Sequence, residues 1–192
     1  LAEMIEEEDN VLDALHHNLG VARRLAGGRQ VLAPVKANAY GHGLVEVARS
    51  IQERGTAEWL GIAVTAEGAQ LRAAGVTLPI LKFSPTLPED LDEAIAADIT
   101  LSVGDADAIS QAQEAARRAG RDVAVHLKID TGMRRVGAEP VQAEDLAAQI
   151  VDAANLRLQG VFTHLPISDV DEGDDFTHEQ LARFHAVVAR VE

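Results

Sequence analysis

The stretch VLAPVKANAYGHG, Val31–Gly43, decides how the rest of the chain is read. VLAPV is apolar throughout, as a buried strand would be, yet the run ends on Lys36 and passes at once into small residues punctuated by Gly41 and Gly43. Outward from it the same alternation repeats. QVLAPVK is followed by LVEVARSIQERG, EWLGIAV by TAEGAQLRAAG, and LPILKF by LPEDLDEAIAA. Then come ITLSV with DADAISQAQEAARRAG, DVAVHLKID with AEDLAAQIVDAA, and LRLQGVFTHL with DFTHEQLARFHAVVARVE. Each pair is a short β-like run and a longer amphipathic one. Nearly continuous apolar strands joined by helical crossovers predict a parallel sheet covered by helices, an α/β fold. Two architectures satisfy this, an open doubly wound sheet and a closed (β/α)8 TIM-type barrel of about 200 to 250 residues or more. Six strand–helix units are two short of the barrel. A further helix precedes them: Leu12, Leu15, Leu19, Ala22 and Leu25 recur at helical spacing, Asp9 or Asn10 is placed to cap the first turn, and Gly27-Gly28 stops it.

At 192 residues the chain is long enough for one substantial core, and with no repeat, low-complexity tract or linker a single domain is the default. Its composition, 47% hydrophobic and 25% charged, is that of a globular protein, with no apolar run near the roughly 20 residues of a membrane span. The opening LAEMIEEEDN lacks the basic start and small-residue cleavage site of a secretory signal, so a cytoplasmic protein is expected. The absence of cysteine excludes disulfides, a thiolate nucleophile and a cysteine zinc site. A formal charge of −14 repels nucleic-acid phosphates and anionic lipid, and 3% aromatics leaves little for base stacking, so a small-molecule partner is expected. The chain ends inside a helical pattern, VVARVE, which reads as a fragment.

In both α/β architectures ligands gather at the C-terminal ends of the strands, where Lys36, Asp130 and His164 fall. Each alone has a structural explanation: a lysine that snorkels, an aspartate that caps a turn, a histidine satisfied in a core. Three at equivalent strand ends would face one common mouth in a closed barrel. A lysine there becomes a nucleophile when burial and nearby cations lower its pKa, and its neutral amine can form a Schiff base with a carbonyl such as that of pyridoxal phosphate. The small residues Ala37, Asn38, Ala39, Gly41 and Gly43 would let such a group approach the backbone, and Tyr40 offers a hydroxyl at the rim. A second stretch, HLKIDTGMRRVG, gathers Lys128, Asp130, Arg134 and Arg135, a set able to hold phosphate or phenolate oxygen with Asp130 fixing the arginines. It would also serve as a solvated, ion-paired loop. Phosphate-loop, dinucleotide, zincin and nucleophile-elbow motifs are absent. The acidic run DVDEGDD, Asp169–Asp175, lacks the glycine a calcium loop needs at its sixth position, and His178 and His185 stand two turns apart on one helix, so no metal site is expected.

Taken together, VKANAYGHG, KIDTGMRRVG and GVFTHL resemble, in order and spacing, the barrel domain of alanine racemases, pyridoxal 5'-phosphate enzymes; the likeness runs from about Leu12 onward. The resemblance implies that Lys36 holds the cofactor and is the base on one face of the substrate α-carbon. It implies that Tyr40 hydrogen-bonds the cofactor phosphate, Arg135 contacts the ring's phenolic oxygen, and His164 lies beside the ring. Lys128 matches a lysine that is often carbamylated and braces that arginine, and Phe83 lines the same mouth. The same resemblance implies a closed barrel of which residues 1–192 hold about six of eight units, without the C-terminal β-domain that carries the opposite-face tyrosine. It implies L- and D-alanine as substrates, a homodimer and an inactive or nearly inactive fragment. Three features depart from the family pattern: Arg134 stands where a glycine usually precedes the arginine, THLPISD replaces the commoner THFATAD, and EMIEEEDN precedes the first helix where the family has a strand with a tryptophan and an E-I-D-L segment. The alternatives are a non-enzymatic pyridoxal-phosphate homeostasis protein of the same barrel group, and an orphaned half-barrel with no cofactor.

Overall fold

The computed structural model describes residues 2–191, with side chains from residue 11 onward. All six expected strand–helix units are present. After helix α1 (Ala2–Leu25) come β1 (Leu32–Pro34), a short turn α2 (Lys36–Tyr40) and α3 (Leu44–Arg54), then β2 (Trp59–Ile62) and α4 (Thr65–Ala73). They are followed by β3 (Ile80–Pro85) with α5 (Leu91–Ala96), β4 (Thr100–Val103) with α6 (Ala106–Ala119), β5 (Val123–Lys128) with α7 (Ala143–Asp152), and β6 (Leu156–Phe162) with α8 (Asp174–Val191). The strands form one parallel sheet in sequence order, β1-β2-β3-β4-β5-β6. One boundary differs from expectation: α1 is already running at Ala2, so Asp9 and Asn10 lie inside the helix and cap nothing at its start. The acidic opening, which favours the positive end of a helix, extends it instead. No helix among the described residues is long and apolar enough to cross a membrane.

The chain divides into two compact units, Leu1–Phe83 and Ser84–Glu192. In the first, α3 turns Leu44, Val47, Ala48 and Ile51 inward at i, i+3, i+4 and i+7, and all four are buried with Leu60 and Ile62 of β2, Leu71 of α4 and Ile80 of β3. Each of the valine, leucine and isoleucine side chains contributes about 1.5–3 kcal/mol by leaving water. Helix α1 is tied to this layer by a buried histidine, His16, whose Nδ1 lies 2.8 Å from Thr56 Oγ1 and whose Nε2 lies 2.7 Å from Ser50 Oγ.

In the second unit, Ile109, Ala112, Ala115 and Ala116 of α6 and Ala143, Leu146, Ala147 and Ile150 of α7 supply the inward stripes, against Leu101 and Val103 of β4 and Val125 and Leu127 of β5. Helix α6 begins where the Asp105 side chain accepts the Ala108 N–H at 2.8 Å and ends at Gly120. Strands β5 and β6 pair with a register shift between Val125 and His126.

Candidate functional site

In the first unit, β1 closes at Pro34, and the Val35 N–H is still held by Gly61 O at 2.8 Å. Lys36 then opens a turn of unusual hand. Ala37, Asn38, Ala39 and Tyr40 have φ of 53°, 55°, 52° and 56°, four successive non-glycine residues in the left-handed region. Each costs roughly 1–2 kcal/mol against the right-handed form, so the turn persists because its surroundings hold it. Within it Ala39 N–H donates to Val35 O (2.8 Å), and Gly41 and Gly43 N–H both donate to Asn38 O at 3.0 Å. The Asn38 side chain accepts the first amide of α3, Leu44 N–H, at 2.8 Å. The remaining brace comes from α4: Glu67 Oε1 accepts Ala37 N–H at 2.6 Å while Oε2 accepts Ala63 and Val64 N–H at 2.8 and 3.1 Å. One carboxylate thereby caps α4 and pins the residue that follows the lysine.

Lys36 is half-buried, with Nζ 6.0 Å from the centroid of the Tyr40 ring, the outer limit of a cation–π contact, and Tyr40 itself is 60% exposed. Phe83, the last residue of this unit, lays its ring across β2 in the space that a side chain at position 61 would fill; a Cβ on Gly61 would overlap both Phe83 and Leu32. A glycine is therefore required at the centre of that strand.

In the second unit the corresponding turn follows β5. Lys128, the last residue of the strand, is 5% exposed, with Nζ 5.2 Å above the Phe162 ring of β6. Asp130 comes next but one, and its carboxylate is filled from its own turn: Oδ1 accepts Gly132 N–H at 2.9 Å and Oδ2 accepts Arg135 N–H at 3.0 Å. Burial pushes this carboxyl up, but the backbone N–H groups of Arg134, Gly132, Arg135 and Met133 outweigh it and hold the group below its ordinary value. Asp130 thus fixes Arg135 through the main chain. The turn closes through Asp130 N–H to Ala138 O (2.8 Å) and Ala138 N–H to Lys128 O (2.9 Å), which brings Gly137 so near the Asp130 backbone that a Cβ there would sit 2.8 Å from its nitrogen. Arg134, where the family pattern has glycine, adopts φ 56°, the conformation a glycine takes most easily. The guanidinium-bearing Arg135 is exposed, as is His164, two residues past the end of β6.

Behind these two loops lies a polar cluster centred on the buried Thr131 and Gln180. Thr131 Oγ1 and Thr163 Oγ1 are 2.8 Å apart; Gln180 Nε2 of α8 donates to Thr131 Oγ1 (3.3 Å) and to His164 O (3.4 Å); Arg183 Nη1 donates to Thr131 O (2.9 Å). Beside it is a cavity of about 440 Å³ lined by Asp130, Arg134, Glu139, Phe176 and Arg183 among others.

The structure therefore brings Lys36 and Tyr40 together on one turn, with Phe83 in the same unit, and Lys128, Asp130, Arg135 and His164 together on two neighbouring loops of the other. Sequence reasoning missed Glu67, Asn38 as a cap, and Gln180. Glu67 had one visible signal, its place at the start of TAEGAQLRAAG, where an acid at the third helical position closes back on the helix start. Gln180 had none, because a buried glutamine on a helix looks like any exposed one.

These elements match known proteins closely. The sequence model of the family described as alanine racemase, N-terminal domain, matches residues 11–192. The chain belongs to this family. An alanine racemase of Cutibacterium acnes is 46% identical over 181 residues, which is 94% of this chain and 48% of that protein, and one from Thermobifida fusca is 41% identical over 94% of this chain and 49% of its own length. Among solved structures, alanine racemase from Streptomyces lavendulae, a D-cycloserine producer, superposes with a TM-score of 0.84 at 37% identity, covering 94% of this chain and 47% of that one. An alanine racemase of Clostridium difficile in complex with cycloserine gives 0.78 at 33% identity over 84% of this chain and 44% of its own. The chain spans about half the length of the curated relatives it matches. Membership places the fold in the β/α barrel class, as part of an N-terminal alanine racemase domain, and the doubly wound alternative falls away.

Proposed function

We propose that the protein to which this chain belongs interconverts L- and D-alanine using pyridoxal 5'-phosphate, and that residues 1–192 form the N-terminal part of its cofactor-binding barrel. The observation that carries this reading is the half-buried Lys36 at the head of a left-handed turn braced from two directions, by Asn38 and by Glu67. A backbone held in four successive unfavourable conformations serves a purpose at that position, and the purpose proposed is to aim one amine.

The donor set fits the cofactor's chemistry. Its aldehyde needs an amine, which Lys36 provides; its phosphate needs hydroxyl and N–H donors, for which Tyr40 stands one turn from the lysine; its phenolate oxygen needs a cation, for which Arg135 is held by Asp130. Following the family resemblance, Lys128, buried beside that turn, would brace it, and His164 would lie beside the ring. By the same resemblance, Phe83 would line the mouth that the cofactor enters. When bound, the cofactor supplies an electron sink for the charge that develops on the substrate α-carbon. Lys36 Nζ removes or returns the α-proton on one face, and racemisation needs a second acid–base group on the other. Following the family resemblance, we place that group, a tyrosine of a C-terminal β-domain, outside these residues. The protein then works as a cytoplasmic homodimer, and the 192 residues alone turn over little or no alanine.

The test is spectroscopic. Adding pyridoxal phosphate to the full-length protein should produce an absorbance band near the visible that borohydride abolishes as it reduces the imine, leaving a stable label that maps to the Lys36 peptide. It should vanish in Lys36→Ala, and D-alanine should form from L-alanine only in the protein that keeps it. A label on any other lysine would overturn the assignment, and a band at Lys36 without D-alanine formation would favour a cofactor-storage protein.

A further inference from the structure

Gln180 is 0% exposed, yet its hydrogen bonding is poor by the standard of a structural amide. Its two donated bonds, 3.3 Å to Thr131 Oγ1 and 3.4 Å to His164 O, exceed the usual N–H···O range, and its Oε1 is buried with no hydrogen-bond partner. The amide's orientation is fixed, because a carbonyl oxygen only accepts and the NH2 must face His164 O. An apolar side chain of similar shape would remove the orphaned acceptor and stabilise the packing at least as well. What it would lose is the link. Thr131 follows Asp130, which holds Arg135 in place; Thr163 precedes His164; and the two threonines meet at 2.8 Å. Arg183, one turn further along the same face of α8, holds Thr131 O at 2.9 Å.

We propose that Gln180 is a positioning residue: through Thr131 on one side and His164 O on the other, it sets the spacing between the loop that carries Arg135 and the loop that carries His164. The proposal rests on the reading of those two residues as cofactor contacts. Gln180 touches neither substrate nor cofactor. Its role is to hold two loops that have no strand pairing with each other beyond Phe162, so that the arginine and the imidazole meet the ring at a fixed separation.

The experiment compares Gln180→Met and Gln180→Glu with the wild type in the full-length protein. Gln180→Met should melt at or above the wild-type temperature while binding pyridoxal phosphate about three- to tenfold more weakly, with a displaced absorbance maximum. Amide exchange at 130–137 and 163–165 should quicken whether or not cofactor is present. Gln180→Glu should rescue at low pH, where the protonated carboxyl donates a hydrogen bond, and fail as pH rises and the ionised group loses its donor. The charged and titratable groups on the elements around it are Arg183 and Glu179 on α8, Asp130 on the β5 loop and His164 on the β6 loop, so the wild type run alongside subtracts their titration. Should Met also lower the melting temperature, Thr131→Val breaks the same link by a different atom and must quicken the same amides. Wild-type exchange in both variants, or stability and affinity falling together with no pH-dependent rescue, overturns the proposal. Failure of the wild type to take up cofactor would instead overturn the reading of function, while the exchange data would still decide whether Gln180 couples the loops.

Discussion

The turn after Lys36 and the turn after Lys128 solve one problem in two ways. Each leaves the C-terminal end of a strand, each includes at least one non-glycine residue at positive φ, and each is held by a carboxylate that accepts backbone N–H groups. In the second the carboxylate is local: Asp130 collects amides two to five residues ahead of itself. In the first it is remote: Glu67 reaches back thirty residues to Ala37. A local brace forms with the turn, but a remote one forms only when β2 and α4 are in place. The lysine turn therefore depends on the packing of its whole unit, and the aspartate turn depends mostly on its own sequence.

The largest break in this comparison should come at Glu67. Glu67→Ala leaves Ala37, Ala63 and Val64 N–H without their acceptor, and with some replacement by water the unit should lose about 2–3 kcal/mol in a denaturant melt. The effect should reach the lysine turn, seen as faster exchange across residues 36–43, whereas Glu67→Gln, which keeps one acceptor oxygen, should fall between. An Ala variant that melts like wild type would mean the turn is self-supporting after all.

Asp130→Asn comes next, at about 1–2 kcal/mol, because the amide keeps one acceptor and turns an NH2 toward N–H donors that were satisfied. Acid sharpens the contrast between the units. Asp130 in the fold titrates below its ordinary 3.8, so its contribution is present above that pH and is lost as pH falls through the lower folded value. His16, which ties α1 to α3, is lowered from 6.5 by burial and by Arg54, with Asp13 opposing. Its contribution is present above 6.5 and is lost as pH falls through the folded value beneath it. On acid titration, exchange should quicken in α1 and α3 of the first unit before it does so in the β5 turn of the second. The reverse order would contradict both assignments.

This division also explains what could be read in the sequence. All six strand–helix units were legible because parallel strands are apolar on both faces and the helices between them repeat at 3.6 residues, as LVEVARSIQER does with Leu44, Val47, Ala48 and Ile51 buried. The start of α1 was not, because an acidic run reads equally well as a cap and as helix interior. Asp130 and Lys36 stood out because an ionisable residue ending an apolar run is conspicuous. The left-handed turn was invisible: Ala37, Asn38, Ala39 and Tyr40 carry no signature of positive φ beyond the lone asparagine. Glu67 and Gln180 were hidden for a shared reason, that their partners are distant in sequence and become neighbours only once the strands align. Phe83, which ends the apolar run LPILKF, lies within β3 and two residues short of its end at Pro85, and the glycine that makes room for it, Gly61, is recognised only from the packed pair.

The smallest effects test the strain itself. Ala37→Gly and Arg134→Gly each place glycine where the backbone already has φ of 53° or 56°. Relief of the left-handed penalty, about 1–2 kcal/mol, is opposed by the greater freedom of glycine in the unfolded chain, about 0.5–1 kcal/mol, so each variant should gain a net of about 0–1.5 kcal/mol. The two should still differ. Arg134 is one left-handed residue in a turn whose carboxylate already accepts the Gly132 and Arg135 amides, so glycine there should raise stability with little change in exchange across 130–137. Ala37 is the first of four, and glycine there loosens the residue next to the lysine, so its gain in stability should be accompanied by faster exchange at 37–40 and a weaker hold on Lys36. If both variants gain stability with unchanged exchange, the strain in the lysine turn is incidental to aiming its amine. If Ala37→Gly alone loosens its turn, the left-handed backbone is part of how that amine is held.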